Sequence, residues 1–352
     1  MLNLYNLHIE EIYLHQVGNV SKNETLLLSE NPQELNDESN ALLKQYFSKP
    51  FMQKEENYFH FEHETDLDFH PLHELITTVF DNPSALGEAS KKIAKHLFDS
   101  SNHQHIKSGE LFVVYFTNIQ LDNEKVDAIG IFKSELKNPF LKFNAQDNQF
   151  QMLLDEGVDL NKLDKGALIF NSEKEAGYRI LSVDSNRYDT KYWLEDFLAI
   201  TPFEDAIFQT KKYLKFCQDF AKDVVLPAED KKEEVLFMNR SMNFFAKNDN
   251  FEESNFINEV IENPDLIPEF KHYKETQAPK YKIEDLTEFP IANNAVTAAR
   301  KKTKNVIALD TNVQLKLDFI NPESADKFLE KGWDEERQMY YYLVYFNKEI
   351  KG

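Results

Sequence analysis

GELFVVYFTNIQLDNEKVDAIGIFKSE, residues Gly109 to Glu135, contains the clearest structural pattern in the chain. Two runs rich in β-branched and aromatic residues, Leu111 to Ile119 and Val126 to Phe132, flank the polar segment Asp122 to Lys125. Runs of this kind on either side of a short polar segment are typical of a β-hairpin. The stretch therefore predicts two antiparallel strands.

Three shorter apolar runs follow this hairpin. They are Phe150 to Leu154, Ala167 to Phe170 and Tyr178 to Val183, and turn-rich segments separate them. Strands joined by short turns favour antiparallel pairing. We therefore predict one antiparallel sheet of about five strands.

The N-terminal segment has two readings. Ile9, Ile12, Tyr13 and Val17 fit one apolar face of a helix. They fit equally a strand that continues toward Thr25 to Leu28 after a turn. The pattern leaves both alternatives open.

Helical spacing of apolar residues predicts helices that flank the sheet. In chain order the predicted helices cover residues 37–49, 71–80, 83–98, 192–198, 203–225, 235–245 and 251–261, with Pro50 just after the first. Prolines at 264, 268, 279 and 290 predict irregular structure between Asn263 and Pro290.

A charged segment, Pro227 to Val235, interrupts the apolar pattern and predicts a domain boundary. Residues 1–228 are then an N-terminal α+β domain with a central antiparallel sheet, and residues 229–352 are a smaller α+β subdomain. Its predicted elements are strands at 306–309, 313–319 and 339–346 and a helix around 322–329. The predicted fold class is α+β, with flanking helices and a smaller mixed C-terminal part.

The composition favours a folded protein of a reducing compartment. Hydrophobic residues make up 41% of the 352 residues, with 29 Phe and 15 Tyr, which is enough to build aromatic cores. The single cysteine, Cys217, excludes an internal disulfide. The first residues lack a secretory pattern, and the apolar run Leu111 to Phe116 is far shorter than the ~20 residues of a membrane span. We expect a cytoplasmic protein without membrane contact.

The basic residues Arg300, Lys301, Lys302 and Lys304 stand out in a chain whose net charge is −21. No acidic residue occurs between Glu288 and Asp310. Because the Debye length is about 8 Å at physiological salt, a basic patch can act independently of distant acidic residues. These four residues are the predicted nucleic-acid contact, and a solvated loop before a strand is the alternative.

Common catalytic and nucleotide-binding motifs are absent from the sequence. His60, His63, His70 and His73 lie among carboxylates and are candidate metal ligands, although a polar connection explains them as well. Asp184 to Glu195 matches a calcium loop at three positions but lacks its essential glycine, so a strand end before a helix is favoured. Cys217 lies on an apolar face and is expected to be inert. No catalytic residue, metal or cofactor is predicted.

Several segments together resemble the bacterial nucleoid-associated protein family of the NdpA type. They are YLHQVGN at residues 13–19, the hairpin GELFVVYF to VDAIGIFKSE, LSVDSNRYDTKYWLEDFL at 181–198 and LDFINPESADKFLEKGW at 317–333. The resemblance implies a cytoplasmic protein found with the nucleoid, with affinity for DNA or for proteins that act on DNA. It implies no catalytic residue, and the basic cluster is a candidate from charge alone.

We therefore predict a non-enzymatic nucleoid-associated protein that binds DNA weakly, through backbone contacts, or acts with DNA-handling proteins. The alternative is an acidic interaction module, a DNA mimic or adaptor that docks a basic partner without binding DNA. The aromatic content and the exposed edges of the sheets also predict a homodimer.

Overall fold

The computed structural model describes residues 2–52, 57–146, 149–185, 191–303, 305–317 and 328–348. The chain divides into two compact units, Met1–Phe203 and Glu204–Gly352. The boundary predicted after residue 228 lies further along the chain. The difference arises because the helix from residue 206 to 220 packs its apolar face into the core of the second unit.

The described residues of the first unit form eleven strands, numbered in chain order. They are β1 Leu2–Asn3, β2 His8–Val17, β3 Leu26–Leu27, β4 Tyr58–Phe61, β5 Gly109–Leu121, β6 Glu124–Ser134, β7 Lys137–Gln146, β8 Gln149–Val158, β9 Lys165–Phe170, β10 Arg179–Asp184 and β11 Ile200–Pro202. Nine of them form one sheet in the order β11-β4-β10-β9-β6-β5-β2-β3, with β1 also paired to β5. All of its pairings are antiparallel.

The predicted hairpin is confirmed as β5 and β6, two of the longest strands of the sheet. Its turn is shorter than the four residues predicted: Leu121 pairs with Glu124, so only Asp122 and Asn123 form the loop. Both loop residues have positive φ, 47° and 73°. These angles are those of a type I′ turn, whose twist matches that of the strands it joins.

The N-terminal ambiguity is resolved in favour of a strand. β2 pairs with β5 from His8 to Val17, with a bulge between Ile9 and Glu11. Ile12 and Tyr13 are both buried, and they join the cores on opposite sides of the sheet. Burial on both faces explains why the apolar residues lack the simple alternation of a half-exposed strand.

One predicted strand lies outside the central sheet. The runs near 167–170 and 178–183 are confirmed as β9 and β10, whereas residues 150–154 belong to β8. β8 pairs only with β7 among the described strands and forms a separate two-stranded sheet. β7 was not predicted, because Lys, Asn and Pro interrupt its apolar residues.

Helices cover both faces of the central sheet. They are α1 Asp37–Met52, α2 His73–Asp81 and α3 Leu86–Ser100, followed by a π-helical segment, Tyr192–Phe197. α2, α3 and this segment pack on one core, and α1 packs on the other. Phe47 of α1 stacks on Phe132 of β6 with ring centroids 4.2 Å apart.

The second unit is smaller and mixed. Its helices are α4 Ala206–Phe220, α5 Leu226–Ala228, α6 Lys231–Lys247, α7 Glu253–Val260, α8 Leu266–Tyr281 and α9 Asn293–Lys302. Its strands are β12 Asn250–Glu252, β13 Glu288–Pro290, β14 Val306–Ala308, β15 Gln314–Lys316, β16 Leu329–Asp334 and β17 Met339–Val344, in three antiparallel pairs. The predicted α+β fold class is thus confirmed. No helix in the described part of the chain is long and apolar enough to cross a membrane.

The prediction of irregular structure between Asn263 and Pro290 is wrong, because α8 occupies much of it. Pro268 lies in the first turn of α8, where backbone N–H groups have no partner within the helix. Pro279 lies near its end, before Lys282 takes a left-handed conformation. Most of the helix predicted around residues 322–329 lies outside the described residues, and Leu329 begins strand β16.

Candidate nucleic-acid interface

The three described residues of the predicted basic cluster lie at the end of helix α9, and not in a loop. Arg300, Lys301 and Lys302 form the last turn of the helix and are exposed. Ala295 and Val296, one turn earlier, are buried, and they fix the helix on the core of the second unit. The high helix propensity of alanine explains why NNAVTAARKK is helical in spite of its charge.

Cations in the last turn of a helix also have a structural role. The C-terminal end of a helix carries a partial negative charge, and nearby Lys or Arg residues stabilise it by about 0.3–1 kcal/mol. This contribution accounts for basic residues at this end without any ligand. It also means that the carbonyl groups beside them disfavour an approaching phosphate, so the side chains alone would have to hold it.

Hydrogen bonds fix the chain on both sides of position 304. The backbone N–H and the hydroxyl of Thr303 both donate to the Ala299 carbonyl, at 3.0 Å. The side-chain amide of Asn305 donates to Asn239 Oδ1 at 2.7 Å, which ties the start of β14 to α6. Lys304 itself lies outside the described residues. The three described cations are therefore presented from an anchored segment.

Arg300 and Lys301 carry free charges in the described structure: neither forms an ion pair or a side-chain hydrogen bond there. The other described arginines are neutralised. Arg179 pairs with Asp122 and Glu173, Arg240 with Glu233 and Glu262, and Arg337 with Asp334. Arg300 is thus the one arginine among the described residues that is available to an anionic ligand.

The four candidate metal ligands bind protein atoms or lie apart. His70 uses both ring nitrogens, with Nε2 3.0 Å from the Ala199 carbonyl. His60 and His63 contact a neighbouring carbonyl and a threonine hydroxyl, and His73 is buried. No group of three or more His, Cys, Asp or Glu side chains in the described ranges is placed to hold a metal ion.

The partial calcium-loop match does not form a carboxylate cluster among the described residues. Asp184 ends β10 and pairs with Lys165 at 3.0 Å, and Glu195 lies 3.9 Å from Lys191. The middle positions of the loop, residues 186–190, lie outside the described residues. Cys217 is fully buried, and burial raises the pKa of its thiol, which agrees with the expected inert role.

A buried ionic network at one end of the central sheet was not found from the sequence. Lys133, at the end of β6, donates to the Lys107 carbonyl at 2.7 Å and lies 3.2 Å from Glu135. Lys165, at the start of β9, pairs with Asp184 of β10. Both lysines are fully buried, and both lie beside the Tyr192 ring. The sequence pattern that could have indicated this network is the position of the two lysines at the ends of otherwise apolar strands.

The segments that resemble bacterial nucleoid-associated proteins are supported by comparison with protein families. A family model described as nucleoid-associated protein YejK matches residues 14–340, which is most of the chain. The chain therefore belongs to the nucleoid-associated protein YejK family. No curated protein matches it.

Proposed function

We propose that this chain is a non-enzymatic protein of the bacterial nucleoid, in the cytoplasm. It binds DNA weakly, by contacts to the phosphate backbone of the DNA. The contact is made by Arg300, Lys301, Lys302 and Lys304. The supporting observation is that Arg300 and Lys301 are exposed on an anchored helix and free of counter-charges. Membership of a nucleoid-associated family supports the same class of ligand.

The expected binding is weak and responds to salt. Each phosphate contact releases counterions and contributes about −0.9 to the slope of log K against log salt, so four contacts give roughly −3.6. Arginine is the usual bidentate reader of guanine, and Arg300 is the only described arginine without a carboxylate partner. We therefore expect little dependence on DNA sequence.

The test is fluorescence anisotropy with duplex DNA over a salt series. The variant changes Arg300, Lys301, Lys302 and Lys304 to Gln. The matched control changes four exposed lysines of the same unit to Gln, namely Lys222, Lys247, Lys271 and Lys348. Loss of binding in the first variant alone, with a wild-type slope near −4, supports the proposal. Equal losses of affinity in both variants would mean that DNA binding depends on net charge and not on these four residues. No binding of the wild type at about 50 mM salt would reject the proposal.

A second candidate is an acidic docking surface for a basic, DNA-handling protein. Glu62, Glu64, Asp66 and Asp68 lie on one exposed segment, and none of them forms an ion pair with another described residue. Phe69, 70% exposed, lies beside them. This arrangement offers carboxylates and a ring to a cationic partner, in line with the net charge of −21.

The two candidates respond to different substitutions. Changing Glu62, Glu64, Asp66 and Asp68 to the corresponding amides should weaken binding of a fluorescent oligolysine peptide and leave DNA binding no weaker. The quadruple Gln variant of the basic cluster should show the reverse pattern. If the amide variant binds oligolysine as tightly as the wild type, this segment is not the docking surface.

A further inference from the structure

Strands β7 and β8 form a ribbon that is wholly apolar on one face over its part nearest the turn, residues 141–145 and 150–154. Further from the turn the same face carries the pairs Pro139 and Glu156, and Lys137 and Val158. Side chains directly opposite each other in an antiparallel pair lie on the same face. The register of the ribbon places together the pairs Leu141 and Leu154, Phe143 and Met152, and Ala145 and Phe150. These six residues, which we call the apolar face, include no polar side chain.

The opposite face of the ribbon is mixed. There the register pairs Lys142 with Leu153, Asn144 with Gln151, and Phe140 with Asp155. The ribbon is therefore amphipathic, with a period of two on both strands. Such a pattern is the mark of a sheet with one buried side and one solvated side.

The apolar face is not buried by any described part of the chain. Phe143, Phe150 and Leu154 are 62%, 81% and 73% exposed, and every described residue at 136–145 and 150–156 is exposed. An isolated two-stranded ribbon is marginally stable in water, and large exposed apolar patches mark interaction sites. The sequence thus specifies a surface that requires a partner.

We propose that a second copy of the chain covers the apolar face, with the same face of its own ribbon, about a two-fold axis. The five larger side chains expose roughly 650 Å² together, taking about 200 Å² for each complete side chain. A stable interface needs about 800 Å² per partner. The ribbon face supplies most of that area, and its self-matching chemistry suits an isologous contact.

The charge of the chain favours association of two copies through their ribbons and not through the rest of their surfaces. Two chains of net charge −21 repel each other at short range. The five-residue stretches that carry the apolar face are about 17 Å long, roughly twice the Debye length of about 8 Å. A contact along this uncharged stretch brings apolar surfaces together while most carboxylates stay screened from one another.

The other exposed ribbon, β16 and β17, lacks this property. Its strand β16 places charge on both faces, with Lys331 opposite Tyr342 on one face and Glu330 and Asp334 on the other. Lys331 also bonds to Asp230 at the start of α6. Leu329 is buried in a small core with Ile307 and Leu317. One end of this ribbon is therefore packed within its own unit, while Trp333 and Tyr340 remain 43% and 71% exposed.

The test compares two double variants by sedimentation equilibrium of the full chain between about 1 and 100 µM. Phe143→Glu with Met152→Glu places charges on the apolar face. Asn144→Glu with Gln151→Glu places the same charges one residue away, on the opposite face. We expect a dimer for the wild type and for the second variant, and a monomer for the first, with at least a tenfold weaker association. All four positions are exposed, so far-UV circular dichroism should be unchanged in both.

A wild-type chain that remains monomeric at 100 µM would overturn the proposal, and so would equal effects of the two variants. Lipid vesicles bound by the wild type and not by the first variant, with no dimer, would assign the face to a membrane surface instead. Added salt should strengthen the dimer, since it screens repulsion, whereas it weakens DNA binding. Failure of one proposal is therefore distinguishable from failure of the other.

A cysteine variant gives a second reading of the same contact. Cys217 is the only cysteine and is buried, so an introduced surface thiol has no native competitor. Phe143→Cys should form a disulfide-linked dimer under mild oxidation, and Asn144→Cys should form much less. Equal cross-linking at both positions would contradict an interface on the apolar face.

Discussion

His70 is a buried imidazole that holds the start of helix α2. Its Nδ1 accepts hydrogen bonds from the backbone N–H groups of Leu72, at 3.2 Å, and His73, at 3.1 Å. Its Nε2 then donates to the Ala199 carbonyl. This arrangement requires the neutral ring, and burial lowers the pKa of His70 to about 4.

We expect the first unit to lose stability as the pH falls from about 6.5 toward 4. In that window the unfolded chain binds a proton that folded His70 resists, and the full shift is worth about 3 kcal/mol. His70→Asn keeps an acceptor near Leu72 and removes the titration. Urea unfolding at pH 7 and pH 5 should show a smaller pH effect in this variant. His15, with a pKa also lowered to about 4 by burial, keeps its own share. An unchanged pH effect would contradict the role of His70.

The ion pair between Lys165 and Asp184 should matter far more than a surface pair. Lys165→Met removes the cation from a buried ion pair with Asp184, and breaking such a pair costs about 3–5 kcal/mol. Lys174→Met removes an exposed pair with Asp81, and such pairs contribute about 0–1 kcal/mol. Urea denaturation measures both losses. Similar losses in the free energy of unfolding for the two variants would show that the buried ion pair contributes no more than a surface pair.

At the level of elements, the turn between β5 and β6 depends on its two left-handed residues. Asn123 has φ of 73°, and a β-branched residue pays about 1–2 kcal/mol in that conformation. Asn123→Val should therefore destabilise the first unit by that amount. Lys125→Val, in a strand position two residues later, is the control and should be nearly neutral. Thermal unfolding of both variants measures the two losses of stability. Equal losses would contradict the turn assignment.

The accuracy of sequence prediction differs between elements for physical reasons. The β5–β6 hairpin was predictable because its strands are rich in β-branched and aromatic residues. β7 was missed because one face carries Lys142 and Asn144, which weakens any count of apolar residues. α8 was missed because its two prolines lie at its ends: Pro268 is in the first turn, where proline is tolerated, and Pro279 is in the last turn.

The candidate site was only partly predictable. The sequence identified Arg300, Lys301 and Lys302 from their charge, but not the helix that presents them. It gave no means of knowing that Arg179 and Arg240 are neutralised by carboxylates from other elements, Asp122 and Glu262, since such pairs exist only after folding. The burial of Lys165 was missed for the same reason, since its partner Asp184 comes from another strand. Lys133 pairs with Glu135 only two residues further along, but the sequence does not show that this pair is buried.

At the scale of the whole molecule, the cores belong to separate units. The two cores of the sheet use residues up to Phe203, and the other two begin at Tyr213. We propose that a fragment of residues 1–203 folds alone, and that 1–228 folds but exposes the apolar face of α4. Cooperative urea unfolding of 1–203, with weaker binding of a hydrophobic dye than for 1–228, is the expected result. A disordered 1–203 fragment would contradict this division.

Strand β4 lies between β10 and β11 in the sheet, and the ribosome synthesises both of these neighbours long after β4. Phe59 pairs with Ile180, more than 100 residues further along the chain. A ribosome adding about 5–20 residues per second needs at least ~6 s to supply that partner. During synthesis the edges of β4 therefore remain unpaired, and its aromatic side chain Phe61, which is buried in the folded unit, remains exposed. The first unit is consequently most vulnerable to aggregation before its last strands leave the ribosome, and its assembly belongs to the slow, non-local class of folding reactions.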